Sequence, residues 1–118
     1  MNIKDYFYEI SRIPRASFQE EKIADYLVEF ANRRNLEVIR DEFNNVIIKK
    51  PASVGYEDKE PVMLQGHTDM VAEKNKDSNH NFDTDPLTLI EKEGWLYADN
   101  TTLGADDGVA VAYMLAIL

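Results

Sequence analysis

The sequence predicts an α/β fold, a mixed sheet flanked by helices, carried by one domain. Three observations predict it. Two stretches near the start repeat apolar residues at helical spacing. Short β-branched runs bounded by turn residues follow them. Val62, Met63 and Leu64 then form a brief wholly apolar run, the pattern of a strand covered by helices on both faces. A chain of 118 residues is long enough for one core and too short for two.

Each element has its own signature. Ile3, Tyr6, Phe7 and Ile10 stand at i, i+3, i+4 and i+7, and Pro14 closes the segment, so the spacing predicts a helix over 3–12. Ser17 and Glu20 have capping-box spacing, and Ile23, Leu27, Phe30 and Ala31 continue an apolar stripe towards Asn35, which predicts a second helix. Leu36 to Arg40 and Val46 to Lys49 read as a β-pair turning at Asn44 and Asn45. Pro51 to Glu60 reads as a surface loop. His67 to Asp85 is polar and aperiodic, a long loop of the kind that commonly carries function. Leu87 to Ile90 and Trp95 to Ala98 flank Glu91, Lys92, Glu93 and Gly94, which is hairpin chemistry. After Asp99 to Gly104 the chain becomes VAVAYMLAIL, an apolar helix that reaches Leu118 with no Gly, Asn or basic residue to cap it. The expectation is a truncated domain. No internal repeat is present.

Composition narrows the function classes. Hydrophobic residues make up 44% and charged residues 30%, the balance of a globular protein. With 22 acidic against 13 basic side chains the net charge is -9, a field that repels phosphate backbones and anionic lipid, so nucleic acid and membrane are not expected partners. No cysteine is present, so a bound metal must use His, Asp and Glu. The opening MNIKDYFYEI lacks the regions of a signal peptide, and no apolar run approaches a membrane span, which makes a cytoplasmic location the expectation.

Two clusters carry the chemistry. His67 and Asp69 follow the apolar run Val62 to Leu64, at a strand's C-terminal end, where open α/β sheets place their ligands. One nitrogen of His67 suits a metal, and Asp69 suits orienting the ring, directly or through an intermediate. Taken alone, this pair equally fits a turn histidine beside a capping Asp. In the second cluster Gly104 and Gly108 bracket Asp106 and Asp107 at the start of the last helix. One Asp is enough for an N-cap. Two adjacent carboxylates repel unless a cation offsets them, and flanking glycines admit close approach. Together the clusters are consistent with two ions roughly 3.5 to 4 Å apart that share a carboxylate and polarise a substrate carbonyl. Two decoys fall away. DSNHNF (77–82) begins like a calcium loop, but Phe82 replaces the turn Gly and Thr88 the closing Glu. His80 in that loop reads as a solvated side chain.

GHTDMV (66–71), AEKN, Asp85-Pro86 and TTLGADDGVA (101–110), with IPRAS (13–17), SFQEEKIADYL and NNVIIKK before them, resemble the aminoacyl-histidine dipeptidases, a branch of the aminoacylase and carboxypeptidase zinc metallopeptidase family. The resemblance implies the N-terminal part of a dinuclear-zinc catalytic domain over residues 1–118. It implies His67 as a ligand of one ion, Asp106 as the carboxylate bridging both, and Asp69 as the catalytic-site residue supporting the histidine. Asp107 departs from the pattern, since Asn is frequent there in the family, and is read as a modifier. The resemblance also places a Glu-Glu pair, a further Asp and a last His beyond Leu118, implies a small peptide substrate, and allows a homodimer in the full-length protein. Two alternatives stand beside it: a related amidohydrolase or aminopeptidase, and a metal-free binding or dimerisation module with a structural His67 and a helix-capping Asp106.

Overall fold

Helices and strands follow one another in the order α1 (Ile3–Ser11), α2 (Glu21–Arg33), β1 (Glu37–Arg40), β2 (Val46–Lys49), β3 (Leu89–Lys92), β4 (Trp95–Ala98) and α3 (Ala105–Ile117), in a computed structural model that describes residues 1–118. The α1 start is set by Asn2, whose side chain accepts the Asp5 N–H while the Asp5 carboxylate accepts the Asn2 N–H, both at 2.9 Å. This is a reciprocal cap that satisfies two backbone donors at the helix start. The box expected at Ser17 and Glu20 does not form. Glu20 instead accepts the Phe18 N–H at 2.9 Å, the Ser17 hydroxyl donates to Asp69, and α2 starts without a side-chain cap. A tertiary acceptor has outcompeted the local one.

The core is helical. Tyr6, Phe7 and Ile10 of α1, Ile23, Leu27 and Phe30 of α2, and Val111, Ala112 and Leu115 of α3 form one buried cluster. Tyr6 and Phe30 meet edge to face with ring centroids 5.8 Å apart, and the Arg34 guanidinium lies 3.5 Å from the centroid of the Phe30 ring, where ring quadrupole and cation attract. The α2 helix ends at Arg33, and Asn35 turns the chain away at φ 55°.

Each strand pair is a separate antiparallel hairpin. In β1–β2 the register sets Val38 opposite Ile48 and Arg40 opposite Val46. Val46 and Ile48 pack on the helical core, while Ile39 and Ile47 on the other face are exposed. The β1–β2 turn is held by Asp41, whose carboxylate accepts the N–H groups of Phe43 and Asn45 at 2.9 and 2.8 Å. In β3–β4 the turn residues Glu93 and Gly94 both adopt positive φ, 52° and 81°, the backbone that a two-residue hairpin requires. Leu89 and Leu96 supply its inner face.

The mixed α/β class holds, but parallel pairing is reduced to a single bridge between Ala16 and Met70. The strand expected at Val62 to Leu64 is absent, and the expected burial is absent with it: Val62 and Met63 are 84% and 86% exposed. The reason is a missing partner. Both hairpins pair internally, so no strand edge or helix layer reaches this segment until Gly66 meets α3. The long loop is nevertheless pinned, because Asn75 N–H donates to the Asn100 carbonyl and Thr102 N–H to the Glu73 carbonyl, each at 2.9 Å. No helix is long and apolar enough to cross a membrane.

Only 16 residues are buried, so stability concentrates in the three-helix cluster. Ile10→Ala, at a fully buried position, is expected to cost about 2–5 kcal/mol in urea unfolding. Val62→Ala is expected to leave the midpoint unchanged, and an equal loss at both sites contradicts this distribution.

Candidate metal centre

The sequence-predicted residues converge. His67 lies between Asp69 and Asp106: its Nδ1 is 3.0 Å from Asp69 Oδ1 and 3.1 Å from the Asp69 carbonyl oxygen, and its Nε2 is 2.9 Å from Asp106 Oδ1. Asp69 therefore orients the ring directly. Asp69 is itself held by the Ser17 hydroxyl through its second oxygen. Asp107 reaches the same residue from the backbone side, its Oδ2 accepting the His67 N–H at a long 3.4 Å.

This arrangement argues against the two aspartates serving only as helix caps. The N-cap of α3 is Gly104, at φ 73°, with no side-chain cap bond, and the backbone is non-helical at Asp106 and Asp107. Asp106 faces an imidazole and Asp107 faces a main-chain N–H across the gap, so both side chains turn away from the amides they would cap. His80 stays outside the cluster, its ring 4.5 Å from that of Phe82.

The electrostatics follow from proton counting. Both acceptors at Nδ1 are oxygens, so Nδ1 carries a proton and donates. A neutral ring then turns the lone pair of Nε2 towards the Asp106 carboxylate, and two electron-rich atoms at 2.9 Å repel unless a positive charge lies between them. In the free protein a second proton on the ring can supply that charge. The hydrogen bond to Asp106 accordingly raises the His67 pKa above its ordinary value, with Asp69 adding to the effect and desolvation opposing it. Asp69 is drawn below the usual carboxylate range, first by the Ser17 hydroxyl and then by His67.

The same gap suits a divalent cation. An imidazole nitrogen fixed by a second carboxylate and a facing carboxylate oxygen are hard-to-borderline donors of the type zinc takes. Two donors sharing a tetrahedral zinc sit roughly 3.3 Å apart for bonds of ~2.0 Å, so a small side-chain adjustment from 2.9 Å suffices. The fit is partial, since no three His, Asp or Glu side chains gather into a ready-made ligand set.

Residues that sequence reasoning missed hold the two clusters together. Arg15 is only 2% exposed, and its guanidinium donates from Nη1 to the Thr68 carbonyl at 3.1 Å and from Nη2 to the Gly104 carbonyl at 2.9 Å. The glycines make room for it. A Cβ at Gly104 would lie 2.6 Å from Arg15 Nη2, and one at Gly108 2.8 Å from the same atom. Gly66 does the equivalent on the other side, where a Cβ would meet Asp107 Oδ2 at 2.9 Å and Ala110 Cβ at 3.0 Å. Arg15 lies in the IPRAS segment that contributes to the resemblance, but nothing local in the sequence marks it as buried.

A mixed α/β chain with an imidazole held between two carboxylates is the class that fold and site define. Within that class the chain is similar to dipeptidases. It is 44% identical over 114 residues to the cytosol non-specific dipeptidase of Escherichia coli (strain K12), a match covering 97% of this chain and 24% of that protein. Its fold matches the crystal structure of aminoacylhistidine dipeptidase from Vibrio alginolyticus with a TM-score of 0.93 at 43% identity, covering 98% of this chain and 24% of that one. Sequence and fold thus both relate this chain to the aminoacyl-histidine dipeptidases, and it spans about a quarter of the length of the relatives it matches. No protein-family model matches the chain.

Two outcomes follow for the metal-free protein. Because the folded pKa of His67 is raised, the stability from its ion pair with Asp106 is fully present below the unfolded value of about 6.5 and is lost as pH rises through the folded value. NMR titration of the His67 ring protons is expected to show this raised midpoint, and Asp106→Asn is expected to lower it; an unchanged midpoint contradicts the contact. Separately, Gly108→Ala is expected to destabilise the protein by about 1–3 kcal/mol in urea unfolding, through overpacking against the guanidinium.

Proposed function

We propose that residues 1–118 form the front part of the catalytic domain of a metal-dependent dipeptidase and supply the first ligands of its two-ion site. His67 would hold one ion through Nε2, Asp106 would bridge both, and Asp69 would keep the ring in the tautomer that leaves Nε2 free. The observation that carries this reading is the demand for positive charge between Nε2 and Asp106 Oδ1 at 2.9 Å. Zinc, when bound, supplies Lewis acidity towards a peptide carbonyl and lowers the pKa of a water. The chain's own residues do the positioning: Ser17 holds Asp69, Asp69 holds the ring, and the ring faces Asp106.

The substrate class is a dipeptide of aminoacyl-histidine type, taken from the solved relative's name, and a cytosolic setting agrees with the name of the Escherichia coli relative. In this reading the exposed apolar side chains Val62, Met63 and Leu64 are covered by the remainder of the catalytic domain, since apolar surface of this kind marks a contact. The 118 residues alone are inactive, because one imidazole and one bridging carboxylate leave each ion short of the three protein ligands usual in catalytic zinc. A structural, metal-free role has one observation in its favour: both nitrogens of His67 already have acceptors, so a protonated ring satisfies itself.

Calorimetric zinc titration separates the two. The chain is expected to bind zinc weakly, more strongly as pH rises because the ion must displace the Nε2 proton, and His67→Ala or Asp106→Ala is expected to abolish that binding. In the full-length protein the expectation is two ions per chain and loss of dipeptidase activity on chelation. Full activity in the presence of chelator removes the metallopeptidase reading.

A further inference from the structure

The segment Arg15-Ala16-Ser17 touches both candidate ligand clusters. The Arg15 carbonyl accepts the Met70 N–H at 2.9 Å, Ser17 donates to Asp69, and the Arg15 guanidinium donates to the carbonyls of Thr68 and Gly104. Thr68 lies between His67 and Asp69, and Gly104 lies two residues before Asp106. One side chain therefore ties the main chain beside the imidazole to the main chain beside the bridging carboxylate.

A structural filler would not be an arginine. Burying a guanidinium costs solvation, both of its bonded acceptors are neutral carbonyls, its Nε has no partner, and burial draws its pKa down while only Asp69 opposes from nearby. An apolar side chain of similar volume would fill the space without that cost. What only arginine supplies is a rigid planar fork whose two ends bond two acceptors at a set spacing. Gly104 and Gly108 are shaped around this fork, since a Cβ on either would strike Nη2.

We propose that Arg15 is the positioning residue of the site: by bridging the Thr68 and Gly104 carbonyls it sets the separation between His67 Nε2 and Asp106 Oδ1. The proposal rests on the metal reading for its purpose, while its geometry is testable without metal.

Isotope-labelled, metal-free protein is examined by NMR. Couplings across the hydrogen bonds from the Arg15 Nη atoms to the Thr68 and Gly104 carbonyl carbons are expected, together with a cross-relaxation contact between the His67 ring proton and the Asp106 Hβ protons. In Arg15→Met the ring contact is expected to vanish while the helical circular dichroism persists. Arg15→Lys, which keeps the charge and loses the fork, is expected to restore the contact only in part. Zinc affinity, read by calorimetry in the same variants, is expected to fall about 10- to 100-fold, the range for groups that orient ligands. A folded Arg15→Met protein that keeps both the ring contact and its zinc affinity overturns the proposal. If neither variant folds, absence of both carbonyl couplings in the unsubstituted protein overturns it. An unsubstituted protein that shows the couplings and ring contact but binds no zinc overturns the metal reading and upholds the clamp.

Discussion

The site depends on a demand for positive charge. With Nδ1 committed to Asp69, Nε2 and the Asp106 carboxylate face one another at 2.9 Å, and a positive charge between them offsets the repulsion of their lone pairs. A proton and a divalent ion meet the same demand, so a proton on His67 Nε2 and the proposed ligation are alternative occupancies of one gap. Ser17 belongs to the same chain of constraint, because it fixes the carboxylate that fixes the ring.

The fold serves this gap through close packing of main chain. Gly66 lets the segment carrying His67 rest on α3, Gly104 turns the backbone at φ 73° into the aspartate pair, and Gly108 leaves space under the Arg15 guanidinium. The buried helical cluster then fixes α3 relative to α1, with Phe7 beside Gly108. The two hairpins are peripheral to this arrangement. Their inner faces pack on the helices, and neither provides a strand on which Val62 to Leu64 could pair.

Much of this was legible in the residues. Helical spacing located α1 and α2, Asn44 and Gly94 located the hairpin turns, and the coupling of an HxD motif to a glycine-bracketed Asp pair located the two clusters that the structure brings together. What was not legible depended on partners distant in sequence. Ser17 has the local signature of a capping residue, yet its hydroxyl is used by Asp69, 52 positions away. Val62 to Leu64 has the composition of a buried strand, but burial and pairing are properties of neighbours, and here those neighbours are missing. Nothing near Arg15 in sequence announces the two carbonyls and two glycines that enclose it.

Whether the imidazole nitrogen and the opposing carboxylate oxygen form one cation site is open to direct observation. Diffraction from crystals of the full-length protein grown with zinc, recorded on both sides of the zinc absorption edge, addresses it most directly. The expected result is an anomalous peak in contact with both His67 Nε2 and Asp106. Zinc bound elsewhere, with the His67–Asp106 hydrogen bond still closed, would contradict it.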